Sequence, residues 1–149
     1  MLKKMNKKGF TLAELLIVVA IIAVLVAISI PIFTSQLESS RDAVSISNIR
    51  AAYAQAQSAY LTSSGNKSWS DKEVDTNVLV TTDANGTVTS VKVKNVAIKT
   101  QKGNEWSGEG ANLPFDGVTV TDGGTAIDNA TVTFTYENEK IKTVSYAAP

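Results

Sequence analysis

The sequence predicts an α+β chain in which one long N-terminal helix packs on a small antiparallel β-sheet. Three observations carry that expectation. An uncharged, largely apolar run extends from Leu15 to Leu37. Apolar residues then recur at helical spacing as far as Tyr60. Beyond residue 66 the pattern changes to short alternating stretches separated by Gly, Asn and Asp.

The apolar run has the dimensions of a membrane span. Leu12 to Phe33 is 22 residues, about 33 Å as a helix, enough for a hydrocarbon core of roughly 30 Å. Lys3, Lys4, Lys7 and Lys8 precede it and a long polar region follows, which predicts an N-terminus inside and a C-terminus outside. A cleaved secretory signal fits poorly. Such signals carry an apolar core of roughly 7–15 residues and a small-x-small cleavage site. Here the run is longer, and Ala27-Ile28-Ser29 is followed directly by Ile30-Pro31. A plain single-pass anchor accounts for the length but not for Glu14.

A carboxylate in a membrane helix costs about 2.5–3.5 kcal/mol on insertion scales. Glu14 is therefore expected either at the headgroup boundary or with a partner. Cleavage after Gly9 would make Phe10 the N-terminus, with an α-amine positively charged near neutral pH. Glu14 lies close to that amine within one helix. It can also meet the amine of a neighbouring helix staggered along a common axis, which gives attraction and register in a low-dielectric bundle. Downstream, Pro31 removes a backbone donor and crowds the preceding turn, and Ser29 can bond back to the backbone. A helix kink or local melt is expected near Ser29–Pro31.

Ala43, Ile46, Ile49, Tyr53, Ala56 and Tyr60 form the stripe of an amphipathic helix. Gln36, Glu38, Arg41, Asn48, Arg50, Gln55 and Gln57 fill its other faces, and Glu38, Arg41 and Asp42 read as weak surface electrostatics. Ser63-Ser64-Gly65-Asn66 is a stop signal. One helix is thus predicted from about Thr11 to about Leu61, roughly 75 Å long. Residues 10–33 form its apolar part and residues 34–64 its amphipathic part, with a β-sheet region over 65–149. Val78-Leu79-Val80, Asp83-Ala84-Asn85-Gly86 and then Val88, Val91 and Val93 read as strand, turn and strand. Thr131 to Tyr136, Glu137-Asn138-Glu139 and then Ile141, Val144 and Tyr146 read as a second hairpin, and Val118-Thr119-Val120 as a shorter strand. Three to five antiparallel strands would offer one apolar face to the helix stripe at 43–60. Segments 65–75 and 99–117 read as polar connections.

Composition narrows the function. The chain of 149 residues has no Cys and no His. Disulfides, thiolate nucleophiles, His/Cys zinc sites and a Ser-His-Asp triad are excluded. Without residues 1–9 there are 10 basic against 14 acidic side chains, a poor balance for general nucleic-acid binding, which draws on clustered Lys and Arg. Asp116-Gly117, Asp122-Gly123-Gly124 and Asp128-Asn129 supply calcium candidates in Asp116, Asp122 and Asp128. They lack the dense spacing of a calcium loop, and turns are the preferred reading. Trp69 and Trp106 are expected to anchor loops. Lys92, Lys94, Lys99 and Lys102 read as solvated strand and loop faces.

Lys7-Lys8-Gly9-Phe10-Thr11-Leu12-Ala13-Glu14-Leu15-Leu16 resembles the prepilin processing signature of type IV pilins and pseudopilins, with a short class III leader. In that family a membrane aspartic peptidase cuts after the glycine and the new N-terminal phenylalanine is N-methylated. A glutamate at the fifth mature position is typical, and Glu14 occupies it. A proline after roughly twenty mature residues is common, and Pro31 matches. The motif-level resemblance spans about residues 3–35, and the rest fits only as architecture. Ala13 stands where valine or isoleucine is usual. Many Gram-negative major pilins close a C-terminal loop with a disulfide, which this chain cannot do. The resemblance therefore leans toward the cysteine-free pilins of Gram-positive bacteria, or toward loop packing or a metal in place of the bridge.

The resemblance implies a non-enzymatic structural subunit without a cofactor. It implies processing at Gly9–Phe10, N-methylation of Phe10, Glu14 and Phe10 as the assembly contact, and Pro31 as a compliant joint. The implied partners are copies of itself in a helical homopolymer, prepilin peptidase, the inner-membrane assembly machinery, the membrane before assembly, and surface ligands or DNA afterwards. The filament would lie outside the cell and serve adhesion, twitching motility or DNA uptake. One alternative is a pseudopilin of a type II secretion or competence system. Another is a membrane-anchored ligand-binding domain that never polymerises and tolerates loss of Glu14.

Overall fold

The computed structural model describes residues 8–115 and 118–149. The fold is α+β, with helix α1 at Leu12–Ser63 followed by strands β1 Lys72–Asp75, β2 Val78–Thr82, β3 Val88–Ile98, β4 Ile127–Glu137 and β5 Lys140–Ala147. The chain divides into two units, one ending at Leu37 and the other beginning at Glu38.

In the first unit α1 is exposed along its whole apolar length. Leu15, Leu16, Ile17, Ile21, Leu25, Ile28 and Phe33 all stand in solvent. The segment is long and apolar enough to cross a membrane. The helix is uninterrupted at Pro31 rather than melted. A proline at this position leaves the carbonyl of Ala27 without its usual helical donor. Hydroxyls serve neighbouring carbonyls: Ser29 Oγ donates to Leu25 O at 2.7 Å, and Thr34 Oγ1 lies 3.1 Å from both Ile30 O and Pro31 O.

In the second unit the five strands form one antiparallel sheet in the order β1-β2-β3-β4-β5. Hairpin connections fix that order for the outer pairs. The β2–β3 turn is closed by Asp83 Oδ1, which accepts from the amides of Asn85 and Thr87, both at 2.8 Å. Gly86 is required there. Its φ is +88°, and a Cβ would fall 2.9 Å from the backbone of Gly65, whose amide donates to Gly86 O at 2.8 Å. The end of α1 is thereby tied to the turn. The β4–β5 turn uses Asn138 and Glu139, both at positive φ, as a two-residue hairpin that follows the strand twist needs.

The core forms between one face of the sheet and one face of α1. Ile46, Ile49, Ala52, Ala56 and Ala59 pack with Val78, Val80, Val91, Val93, Val132 and Phe134. Tyr53, Phe115 and Phe134 form an aromatic cluster with ring centroids 5.6–6.3 Å apart. Each large side chain buried this way contributes about 1.5–3 kcal/mol.

Several expectations need correction. Ala43 is exposed, and the buried stripe instead continues N-terminally through Ser45, Asp42 and Glu38. Glu38 and Asp42 are thus interior residues, not surface ones. Val118-Thr119-Val120 is not a strand, because the carbonyl of Val120 accepts from Trp106 Nε1 at 2.8 Å instead of joining a ladder. The segment 65–75, expected to be a connection, contributes β1. Within the stretch expected to be a polar connection, residues 105–112 form a 3₁₀ element.

Candidate functional site

The first turn of α1 builds its own cap. The first amides of a helix have no intrahelical acceptor. Here the Thr11 side chain accepts from the Glu14 amide at 3.2 Å, and Glu14 Oε2 accepts from the Thr11 amide at 2.7 Å. This is a reciprocal capping box. The signal for it, Thr-x-x-Glu before an apolar run, was present in the sequence. It bends the Glu14 carboxylate back toward the N-terminus, beside Thr11 and next in the chain to Phe10. The other oxygen, Oε1, has no hydrogen-bond partner among the described residues.

Gly9 and Phe10 precede the helix in irregular chain. Phe10 is 83% exposed, so nothing in the described chain covers its ring. A Cβ on Gly9 would meet nothing within 4 Å among the described residues. The fold therefore has no steric use for glycine at this position. Beyond Glu14 the helix surface is apolar and carries no charge as far as Leu37.

Residues 4–30 match the family described as prokaryotic N-terminal methylation motif. The chain thus carries a prokaryotic N-terminal methylation motif at its start. The matched stretch contains Gly9, Phe10, Thr11 and Glu14 and ends just short of Pro31. No curated protein and no solved structure matches the chain.

The other sequence candidates are not brought together. Asp122 is committed to loop contacts: Oδ1 accepts from the Gly124 amide at 3.0 Å, and Oδ2 from the amides of Asn104 and Trp106 at 3.2 and 3.1 Å. Asp128 pairs with Lys99. Asp116 lies outside the described residues. Among the described residues there is no group of three or more acidic side chains arranged to hold a metal ion. Trp106 is buried and anchors its loop, while Trp69 is half-buried and hydrogen-bonded through its backbone to Thr82. Of the four lysines, Lys92 pairs with Asp71 at 2.9 Å and Lys99 with Asp128.

Sequence reasoning missed a second polar site in the globular unit. Glu38 is buried, yet its Oε1 accepts from the amides of Gln101 at 2.7 Å and Lys102 at 2.8 Å, and its Oε2 faces Arg41 at 3.3 Å. Burial pushes this carboxyl up. The amides of Gln101 and Lys102, with Arg41 and the Thr100 hydroxyl, outweigh burial and hold it below its ordinary value. One turn on, Asp42 Oδ2 accepts from Ser107 Oγ. These contacts join residues more than sixty positions apart, so no local spacing announces them.

Proposed function

We propose that this chain is a type IV pilus subunit whose N-terminal helix is both its membrane anchor and its polymerisation surface. The leader is removed after Gly9, Phe10 is N-methylated, and the processed subunit waits in the membrane as a single span with its N-terminus on the cytoplasmic side. Assembly then draws residues 10–33 out of lipid into the core of an extracellular filament, where apolar burial and dispersion hold the helices together.

The observation that carries this reading is the isolated Glu14 at the head of the exposed part of α1, which is otherwise uncharged as far as Leu37. Its Oε2 serves the Thr11 amide. That leaves Oε1 to accept from the α-amine of Phe10 on a neighbouring copy, where a low-dielectric surround strengthens the attraction. The side chain thus supplies the register that an apolar helix surface lacks. No chemistry is assigned to the chain itself. Pro31, with its missing amide, is the compliant point of the span.

The test is fibre imaging of cells that carry Glu14→Ala. The variant is expected to reach the membrane with a folded globular unit and to form no filaments. Abundant normal fibres would overturn the pairing. Short or absent fibres in the unaltered strain, with the processed chain in the envelope, would instead favour a pseudopilin.

A further inference from the structure

The connection between β3 and β4 is held to α1 by carboxylates rather than by strand pairing. Five of its backbone amides donate to just two side chains. Gln101 and Lys102 donate to Glu38, and Asn104, Trp106 and Gly124 donate to Asp122. The two carboxylates meet at Thr100, whose hydroxyl oxygen lies 3.2 Å from both Glu38 Oε1 and Asp122 Oδ1 and 3.1 Å from Lys102 O. That hydroxyl has one hydrogen for three acceptors. Ser107 adds a contact to Asp42, whose Oδ1 is buried without a partner among the described residues. Trp106 Nε1 bonds to Val120 O, so the stretches 100–107 and 120–124 are joined to each other.

Protonation of Glu38 removes the negative charge that its donors hold. Oε1 faces two amides and a hydroxyl, and Oε2 faces the Arg41 guanidinium. An added proton on Oε2 would point at Arg41, and one on Oε1 could be accepted only by the Thr100 hydroxyl oxygen, while either weakens the charge-assisted bonds from the two amides. Asp122 accepts one backbone amide on Oδ1 and two on Oδ2. The other titratable groups nearby are Asp42 on α1, the Lys99–Asp128 pair, and Tyr146 on β5, whose hydroxyl accepts from the Gly123 amide at 2.8 Å. Arg41 is bonded directly to Glu38.

We propose that stretches 100–107 and 120–124 are an acid-released strap, fastened to α1 through Glu38 and cross-tied by Asp122, that comes free at low pH while helix and sheet stay folded. The valine core contains no carboxylate, and the ion pairs on the sheet, Lys92–Asp71, Lys99–Asp128 and Lys142–Glu137, lie at its surface, whereas Glu38 is buried. Glu38, held below its ordinary value in the fold, contributes stability that is present above that value and lost as pH falls through the lower folded one. The device does not depend on whether the chain polymerises.

The test uses the full chain in detergent micelles with Trp69→Phe, which leaves Trp106 as the single indole. Between about pH 7 and about pH 3, Trp106 emission is expected to shift to the red, and the amides of Gln101, Lys102, Asn104 and Trp106 to lose about tenfold or more of their exchange protection. Far-UV circular dichroism should hold constant. Asp122→Asn places an amide group against backbone donors in either orientation, and should show the released state at about pH 7. Glu38→Gln should lower protection at Gln101 and Lys102 at about pH 7 and flatten the acid response. Unchanged emission and protection down to about pH 3 would overturn the proposal. So would loss of the far-UV signal in step with the Trp106 shift, because the strap would then have no equilibrium of its own.

Discussion

The two halves of α1 are one helix in two different situations. Among the described residues up to Leu37, the side-chain hydrogen bonds are local, three or four residues away, and the large apolar side chains are exposed. From Glu38 onward the same helix is stitched to residues far along the chain. Asn48 donates to Ala97 O at 2.8 Å, the Lys99 amide donates to Ser45 Oγ at 2.7 Å, and Tyr136 donates to Gln57 at 3.0 Å. The first half completes only its backbone and leaves its large apolar side chains exposed. The second half finds its packing within the subunit. A change in the first half should therefore be felt in processing and assembly, and a change in the second in folding.

The largest expected effect breaks the first half without touching the second. Gly9→Trp should leave the full precursor in the membrane with a normally folded globular unit, because the fold itself makes no steric demand for glycine there. Immunoblot mobility reads the outcome, and a chain still trimmed to Phe10 would refute the assigned cleavage point. Phe134→Ala does the converse. The ring is fully buried between Tyr53 and Phe115, so its loss should cost about 3–5 kcal/mol in thermal or denaturant unfolding, while the leader is still removed. The smallest effect is Thr11→Ala, which removes one arm of the capping box at about 0.5–2 kcal/mol. Faster amide exchange should appear over the first turn of α1 alone, with the unfolding midpoint of the globular unit unmoved.

The same division explains what could be read from the sequence. The helix start is legible because its contacts are short: Gly9, Phe10, Thr11 and Glu14 are consecutive or one turn apart, and the apolar run needs no partner to be recognised. Helix, both hairpins and the turn at Asp83–Gly86 were legible from local patterns. The sheet pattern was blurred where bulges break the alternation. Val88 and Val91, then Val93 and Val96, are buried three apart, and Asn95 at positive φ lies within the second break. Val118–Val120 has the composition of a strand but not its pairing. Glu38 and Asp42 look like solvent-facing charges until the loop amides that they hold are in place. Their in-phase position ahead of Ile46 and Ile49 was the one available hint.

The central claim is that the N-terminal helix is a processed, polymerising surface. Intact-mass and N-terminal peptide analysis of material sheared from producing cells tests it most directly. The expected result is a chain beginning at methylated Phe10 in a high-molecular-weight sheared fraction. A chain that keeps Met1–Gly9 and is found only in membranes would contradict it, and would leave the helix as a plain anchor for the domain that follows.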